Sequence, residues 1–196
     1  MNILGVNAAG ILGKIDSFEN WLKVKMPAIF SIQETKVSRK GLIQCESTNT
    51  FQLYEQIRLV NPGAGGGLCV AVAQELPSAL LREGGDEVEC ISVQVQVGQQ
   101  SLVFVCGYGP QLSASPARKE QFWDYLEREV QEAAREEKMI VIQMDANSWL
   151  GGNFIQGDPN KQTNGNGKLF RDFLQRNNNI KLVNAMSLCE GVITRQ

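Results

Sequence analysis

With 196 residues, 43% of them hydrophobic and 20% charged, the chain is long enough for one domain with a sizeable core and has the composition of a globular protein. A formal charge of −2 gives no general case for binding nucleic acid, and no apolar run nears the roughly 18 residues of a membrane span. The chain has no histidine, which excludes Ser-His-Asp and Cys-His catalysis within it and any metal site built on imidazole.

In chain order, residues 2–8 read as a strand leading into Asn7. Asp16 or Ser17 is expected to cap a helix through Phe18, Trp21 and Leu22, which recur at helical spacing, and Pro27 stops it. Ala28–Ile32 is the next strand and delivers Glu34. Residues 51–60 and 68–73 read as strands either side of Asn61-Pro-Gly-Ala-Gly-Gly-Gly67. The alternation of Val88, Cys90 or Ile91, Val93, Val95 and Val97 predicts a half-buried strand over 87–97, which Gly98-Gln-Gln100 turns into a hairpin with Ser101–Tyr108. Ser115-Pro116 starts the clearest helix, with Phe122, Leu126, Val130 and Ala133 as its apolar stripe. A strand ending at Asp145 follows, then a polar loop over 148–167 and a helix over 168–177. The strand Ile180–Asn184 and the short segment Val192–Thr194 finish the chain. Strands alternating with helices, with at least one hairpin, predict α/β layers around a mixed sheet.

The five cysteines, Cys45, Cys69, Cys90, Cys106 and Cys189, include no CxxC pair. Four lie in or beside apolar runs, which predicts small core residues in a reducing, intracellular setting, cytoplasmic or nuclear, rather than a zinc site. Charge is uneven. Residues 1–60 hold seven Lys/Arg against five Asp/Glu (net +2), 61–145 six against thirteen (−7), and 146–196 six against three (+3). A face built from the two ends would suit a polyanion, although so mild a pattern also describes solvated surface.

Met139-Ile-Val-Ile-Gln-Met-Asp145-Ala-Asn147 carries the most information. A buried strand ending in Asp-x-Asn takes polar groups to the rim of a sheet, where α/β enzymes build their sites. Asp and Asn also favour caps and turns, so on this motif alone both readings stand. Asn7, Glu34, Tyr108, Asp145 and Asn147 share one circumstance: each falls at or just beyond the C-terminal end of a predicted strand. Two carboxylates, two carboxamides and a phenol suit metal-assisted hydrolysis of a phosphate ester. With oxygen ligands and no imidazole, the metal would be a hard cation, Mg²⁺ or Mn²⁺. The Gly63–Gly67 stretch reads as a conformational loop, since no P-loop pattern follows any strand. Trp149 suits either a base stack or a satellite core. Lys161, Lys168 and Arg171 suit either phosphate contacts or a solvated loop and helix start.

Asn7 followed by Gly10, Gln33-Glu34-Thr35, Gly107-Tyr108-Gly-Pro110 and Asp145-Ala-Asn147 occur in the order and spacing of the exonuclease–endonuclease–phosphatase superfamily, which the chain resembles over essentially its whole length. Asn7-Ala-Ala-Gly10, the Gly-rich loop before a strand and Asn164-Gly-Asn-Gly-Lys168-Leu169 look most like the endonuclease domains of non-LTR retrotransposons. The resemblance implies a DNase I-like four-layer sandwich, two mixed sheets flanked by helices. It implies Glu34 as principal ligand of Mg²⁺ or Mn²⁺, with Asn7 helping to place the metal or phosphate. Tyr108 would bond the scissile phosphate, Asp145 would position or deprotonate the attacking water, and Asn147 would stabilise the phosphoryl oxygens. Lys168 would contact a substrate that is DNA.

Two departures from the family pattern follow. Ala9 stands where many relatives carry a second polar residue near the metal. Relatives also continue, after a segment like Val192-Ile-Thr194, to an Asp and then a Ser-Asp-His segment. Residues 1–196 are therefore expected to form one domain lacking its last strands, with impaired activity and an open sheet edge suited to self-association. A phosphatase of the same fold, and a non-catalytic fragment that binds nucleic acid or protein, are the alternatives.

Overall fold

The computed structural model describes residues 1–58, 65–85, 87–148, 150 and 163–181. The first sheet holds β1 (Ile3–Asn7), β2 (Ile29–Gln33), β3 (Phe51–Gln56) and β4 (Leu68–Ala73), in the spatial order β1-β2-β4-β3. The second holds β5 (Ser78–Glu83), β6 (Cys90–Val97), β7 (Gln100–Tyr108) and β8 (Met139–Asp145), side by side in sequence order. Three helices accompany them among the described residues: α1 (Ile15–Lys25), α2 (Pro116–Arg135) and α3 (Gly165–Arg176).

Each sheet contains one parallel pair, β1 with β2 and β7 with β8, and the rest of its pairing is antiparallel. Parallel neighbours need a crossover, and α1 and α2 are those crossovers. The consequence for function is positional. Asn7 pairs with Gln33 at one parallel end, and Tyr108 pairs with Asp145 at the other.

The layers follow from which face each strand makes apolar. Ile29, Leu68, Val70 and Val72 meet Ile91, Val93, Leu102 and Phe104 between the sheets. On the outer face of the first sheet, Phe18 and Leu22 of α1 cover Phe30, Ile32 and Ala71. On the outer face of the second, Phe122, Leu126 and Val130 of α2 and Phe173 of α3 cover Cys90, Val103 and Val105. The order is helix, sheet, sheet, helices, as the family resemblance implies. Toward the rim where β1 ends at Asn7 and β8 at Asp145, the apolar layer gives way to polar groups. Ser31 Oγ lies 2.8 Å from the Gln143 amide, and Gln33 Nε2 lies 3.3 Å from Cys106 Sγ. A Cβ at Gly5 would fall 1.9 Å from the amide end of the Gln143 side chain, which would have to shift to admit it.

Most predicted elements are present with shifted ends. Met26 closes α1 at φ +43, and Pro27 prevents continuation. The hairpin turns through Gly98 at φ +60, the conformation the short connection needs. Ser115 caps α2 by accepting from Arg118 N, and the four stripe residues are buried. Ser115→Ala is therefore expected to lower unfolding free energy by about 1 kcal/mol, read from the urea midpoint at constant slope.

The differences have local causes. Neither Asp16 nor Ser17 caps α1. A 3₁₀ turn over Leu12–Lys14 leads straight into the helix and Asp16 sits in its first turn. β3 ends at Gln56, not residue 60. The strand predicted over 87–97 starts at Cys90 and is more than half buried, since the sheet partner covers Ile91, Val93 and Val95 while the α2 side covers Cys90 and Ser92. α3 starts three residues before Lys168, because Asn164 accepts from Gly167 N and caps it. β5 was not predicted at all: it is an edge strand with most residues exposed, so it carries no apolar period. Ile180 and Lys181 are not in a strand. Trp149, Lys161, Cys189 and the segment Val192–Thr194 lie outside the described residues, as do positions 59–64 of the Gly-rich loop region.

Three cysteines, Cys69, Cys90 and Cys106, are fully buried. Burial pushes all three thiols up, Cys106 to about 11 against hydrogen bonds from Ser31 and Gln33 that pull it down. They are core residues, inert as nucleophiles. No helix among the described residues is long and apolar enough to cross a membrane.

Candidate functional site

Five of the six residues proposed from sequence meet at one rim, and the strand ends are what bring them there. Asn7 is the last residue of β1, and Asp145 the last of β8. Asn7 Nδ2 donates to Asp145 Oδ2 at 2.9 Å, which ties the two sheets together across 138 positions of sequence. The other Asp145 oxygen accepts from Asn147 N at 3.0 Å, a local Asx turn. Both readings of Asp-x-Asn thus describe the same carboxylate: it shapes its own loop and also faces a distant partner.

The end of β1 repeats that geometry. Asn7 Oδ1 accepts from Ala9 N at 3.0 Å, and Ala9 and Asn147 both stand at φ +46. Asn tolerates that region, whereas Ala does so at a cost. Glu34, one residue past β2, stands at φ +52. Three rim residues in the left-handed region mark a place where the surroundings impose the backbone.

Glu34 and Tyr108 join the two halves of the rim. The Tyr108 hydroxyl donates to Glu34 Oε1, and Glu34 Oε2 lies 3.8 Å from Lys36 Nζ. Burial pushes the Tyr108 phenol up to about 12, the hydrogen bond to Glu34 adds to this, and a bond from Asn147 opposes it. The phenol is therefore a proton-bearing donor at neutral pH. Asn147 Nδ2 also donates to Gly109 O at 2.8 Å. From Glu34 to Tyr108, and from Gly109 through Asn147 to Asp145 and Asn7, a chain of hydrogen bonds runs along the rim, its two stretches joined by the Tyr108–Gly109 backbone.

Lys168 is not part of that chain. It lies exposed in the first turn of α3, and Arg171, one turn further on, is half-buried. Its neighbour Asn166 is the residue that reaches the rim: fully buried, it donates through Nδ2 to the carbonyls of Pro110 and Asn147. Asn166 thereby holds the two loops that follow β7 and β8. Removing it in Asn166→Ala leaves both carbonyls short of a donor in a buried place and is expected to cost about 2 kcal/mol, measurable by thermal or urea unfolding. The sequence motif Asn164-Gly-Asn-Gly contains this residue, but its residue type alone does not separate a cap from a brace. Lys36 was also missed, its only signal being proximity to Glu34.

The donor set is oxygen throughout: two carboxylates and the Asn7 carboxamide. Such donors fit a hard divalent cation. No three His, Cys, Asp or Glu side chains form a metal cluster among the described residues.

No protein-family model and no curated protein sequence matches the chain. Its fold is similar to that of several solved structures. The endonuclease domain of TRAS1, a telomere-specific non-LTR retrotransposon, superposes with a TM-score of 0.58 at 16% identity, over 89% of this chain and 69% of that one. The catalytic domain of Xenopus laevis APE2 gives 0.65 at 16% identity, over 88% and 67%. An AP endonuclease from Archaeoglobus fulgidus gives 0.58 at 15% identity, over 90% and 71%. The chain spans a smaller share, 61%, of a truncated Caenorhabditis elegans TDP2, with a TM-score of 0.53 at 12% identity and 74% of this chain covered. Two stacked mixed sheets between helices, shared with these structures, give this chain the exonuclease–endonuclease–phosphatase fold, the DNase I-like sandwich.

Proposed function

We propose that this chain is a metal-dependent phosphodiester hydrolase, a DNA-nicking endonuclease domain of the non-LTR retrotransposon type. The observation that carries the reading is the set of hydrogen bonds at the parallel strand ends that joins Glu34 to Tyr108 and, from Gly109 through Asn147, Asp145 to Asn7. The fold shared with a retrotransposon endonuclease domain and with AP endonucleases supports it.

Glu34, with Asn7, would hold Mg²⁺ or Mn²⁺. The ion would supply positive charge against the charge that builds on the phosphoryl oxygens. The chain's own groups do the rest. Asp145, held by Asn7 and the Asn147 backbone, is aimed to orient the attacking water and accept its proton. Tyr108, kept protonated, donates to the scissile phosphate. Asn147 sets the loop between them and offers its amide to phosphoryl oxygen. Lys168 contributes a cation to the DNA backbone. Nicking would leave a 3′-hydroxyl able to prime synthesis.

The test is conversion of supercoiled plasmid to open circles with protein in excess. Mg²⁺ or Mn²⁺ supports it in the proposed reading, and EDTA stops it. DNA binding without nicking under either metal would leave a nucleic-acid-binding domain and overturn the hydrolase. Cleavage of a small phosphomonoester with the plasmid intact would point to a phosphatase of this fold. Calorimetric titration isolates the metal: Glu34→Ala is expected to weaken Mn²⁺ binding at least tenfold, on the order of the loss of one principal carboxylate ligand.

A further inference from the structure

Glu89 lies just before β6 and is 3% exposed, one of two buried carboxylates among the described residues. A carboxylate taken from water needs charge and hydrogen bonds in return. Here Oε1 pairs with the Arg58 guanidinium, Arg118 Nη2 stands 3.9 Å away, and Oε2 accepts from Gly67 N at 2.8 Å. None of these partners belongs to the rim cluster around Asp145.

The Gly67 contact leads back to Glu34. Gly67 O accepts from Thr35 N at 3.1 Å, and Gly66 O accepts from Lys36 N at 3.0 Å. Those two amides follow Glu34 directly, and both Glu34 and Lys36 are in the left-handed region, at φ +52 and +53. Such a conformation persists only where neighbours hold it. The glycines permit the approach. A Cβ at Gly66 would fall 2.2 Å from Glu89 Oε2, and one at Gly67 would fall 2.5 Å from Thr35 Oγ1. The Glu89 carbonyl, meanwhile, accepts from Tyr108 N at 2.9 Å. One residue therefore braces both members of the Glu34–Tyr108 contact, Glu34 through its side chain and Tyr108 through its backbone.

We propose that Glu89 is a positioning residue for the Glu34 site: acting through Gly66 and Gly67, it fixes the left-handed turn that aims the Glu34 carboxylate. Arg58 and Arg118 hold Glu89 in place for that task. The consequence for cation binding rests on the reading of Glu34 as a metal ligand, whereas the bracing itself does not.

Amide hydrogen exchange followed by NMR, alongside Mn²⁺ calorimetry, tests both parts. Glu89→Ala is expected to speed exchange at Thr35 and Lys36 by about tenfold or more, as a local opening, while Val105 in the middle of β7 keeps its rate. Mn²⁺ affinity falls by about tenfold, the scale seen when a group that orients a ligand is lost. Glu89→Gln keeps an oxygen for Gly67 N and is expected to restore most of the protection. Unchanged exchange at Thr35 and Lys36 overturns the proposal. So does equal acceleration of every amide, which would make Glu89 a general core brace, and so does undiminished Mn²⁺ affinity once the turn has loosened. If the unaltered protein binds no Mn²⁺, the metal reading of Glu34 fails, while exchange still decides whether Glu89 holds the turn.

Discussion

Asp145→Asn is expected to lower plasmid nicking by about three orders of magnitude, near 4 kcal/mol of transition-state stabilisation, with little change in fold. The substitution preserves volume, and the new amide oxygen can still accept from Asn147 N, so the local turn survives. What it loses is the charge and one acceptor. Asn7 Nδ2 now faces Asp145 Oδ2 at 2.9 Å. After substitution, either two NH₂ groups oppose each other there or the Asn7 amide must turn, which would give up the Ala9 contact. A neutral amide also cannot take a proton from water. Single-turnover nicking with the unfolding midpoint measured in parallel separates the cases. Activity within about tenfold of the unaltered protein, far short of what general-base loss predicts, would refute the assigned role.

Gly109→Ala is the second large effect, expected to cost about two orders of magnitude in nicking through geometry alone. An added Cβ would lie 2.5 Å from Ala146 O and 2.7 Å from its carbonyl carbon. Backbone stands in the way rather than a flexible side chain tip, so one of the two loops must move. Gly109 N donates to Asp145 O at 2.7 Å, and Gly109 O accepts from Asn147 Nδ2 at 2.8 Å. Forcing the loops apart therefore displaces Asp145 and Asn147 together. Overpacking of this kind costs about 1–3 kcal/mol of stability, and a fall in activity well beyond the fall in folded fraction is the expected signature. If nicking tracked the folded fraction alone, the loop geometry would have no part in the chemistry.

What was legible beforehand depended on how local the signal was. The α2 helix is written in Ser115-Pro116 and a stripe of four apolar residues at helical spacing, and the structure keeps it with its cap. The strand into Asp145 is likewise written in its apolar run. β5 escaped because an edge strand with most side chains in water needs no pattern. The start of α3 escaped because two glycines in its first turn hide a helix that Asn164 caps and Asn166 anchors. Asn7, Glu34, Tyr108 and Asp145 were all placed at strand ends from sequence, and strand ends are where they stand. That Asn7 and Asp145 touch was not readable, since 138 positions separate them.

By itself, the sequence determined which side chains reach the sheet rims, because period and turn chemistry act over a few residues. It also settled that no imidazole takes part within these residues. Only the tertiary structure decided the partners. Two parallel pairs stacked face to face bring Glu34 to Tyr108 and Asn7 to Asp145, and set Glu89 beneath the turn that carries Glu34. Those pairings depend on how two sheets pack, a property of the whole core that no short stretch of residues encodes.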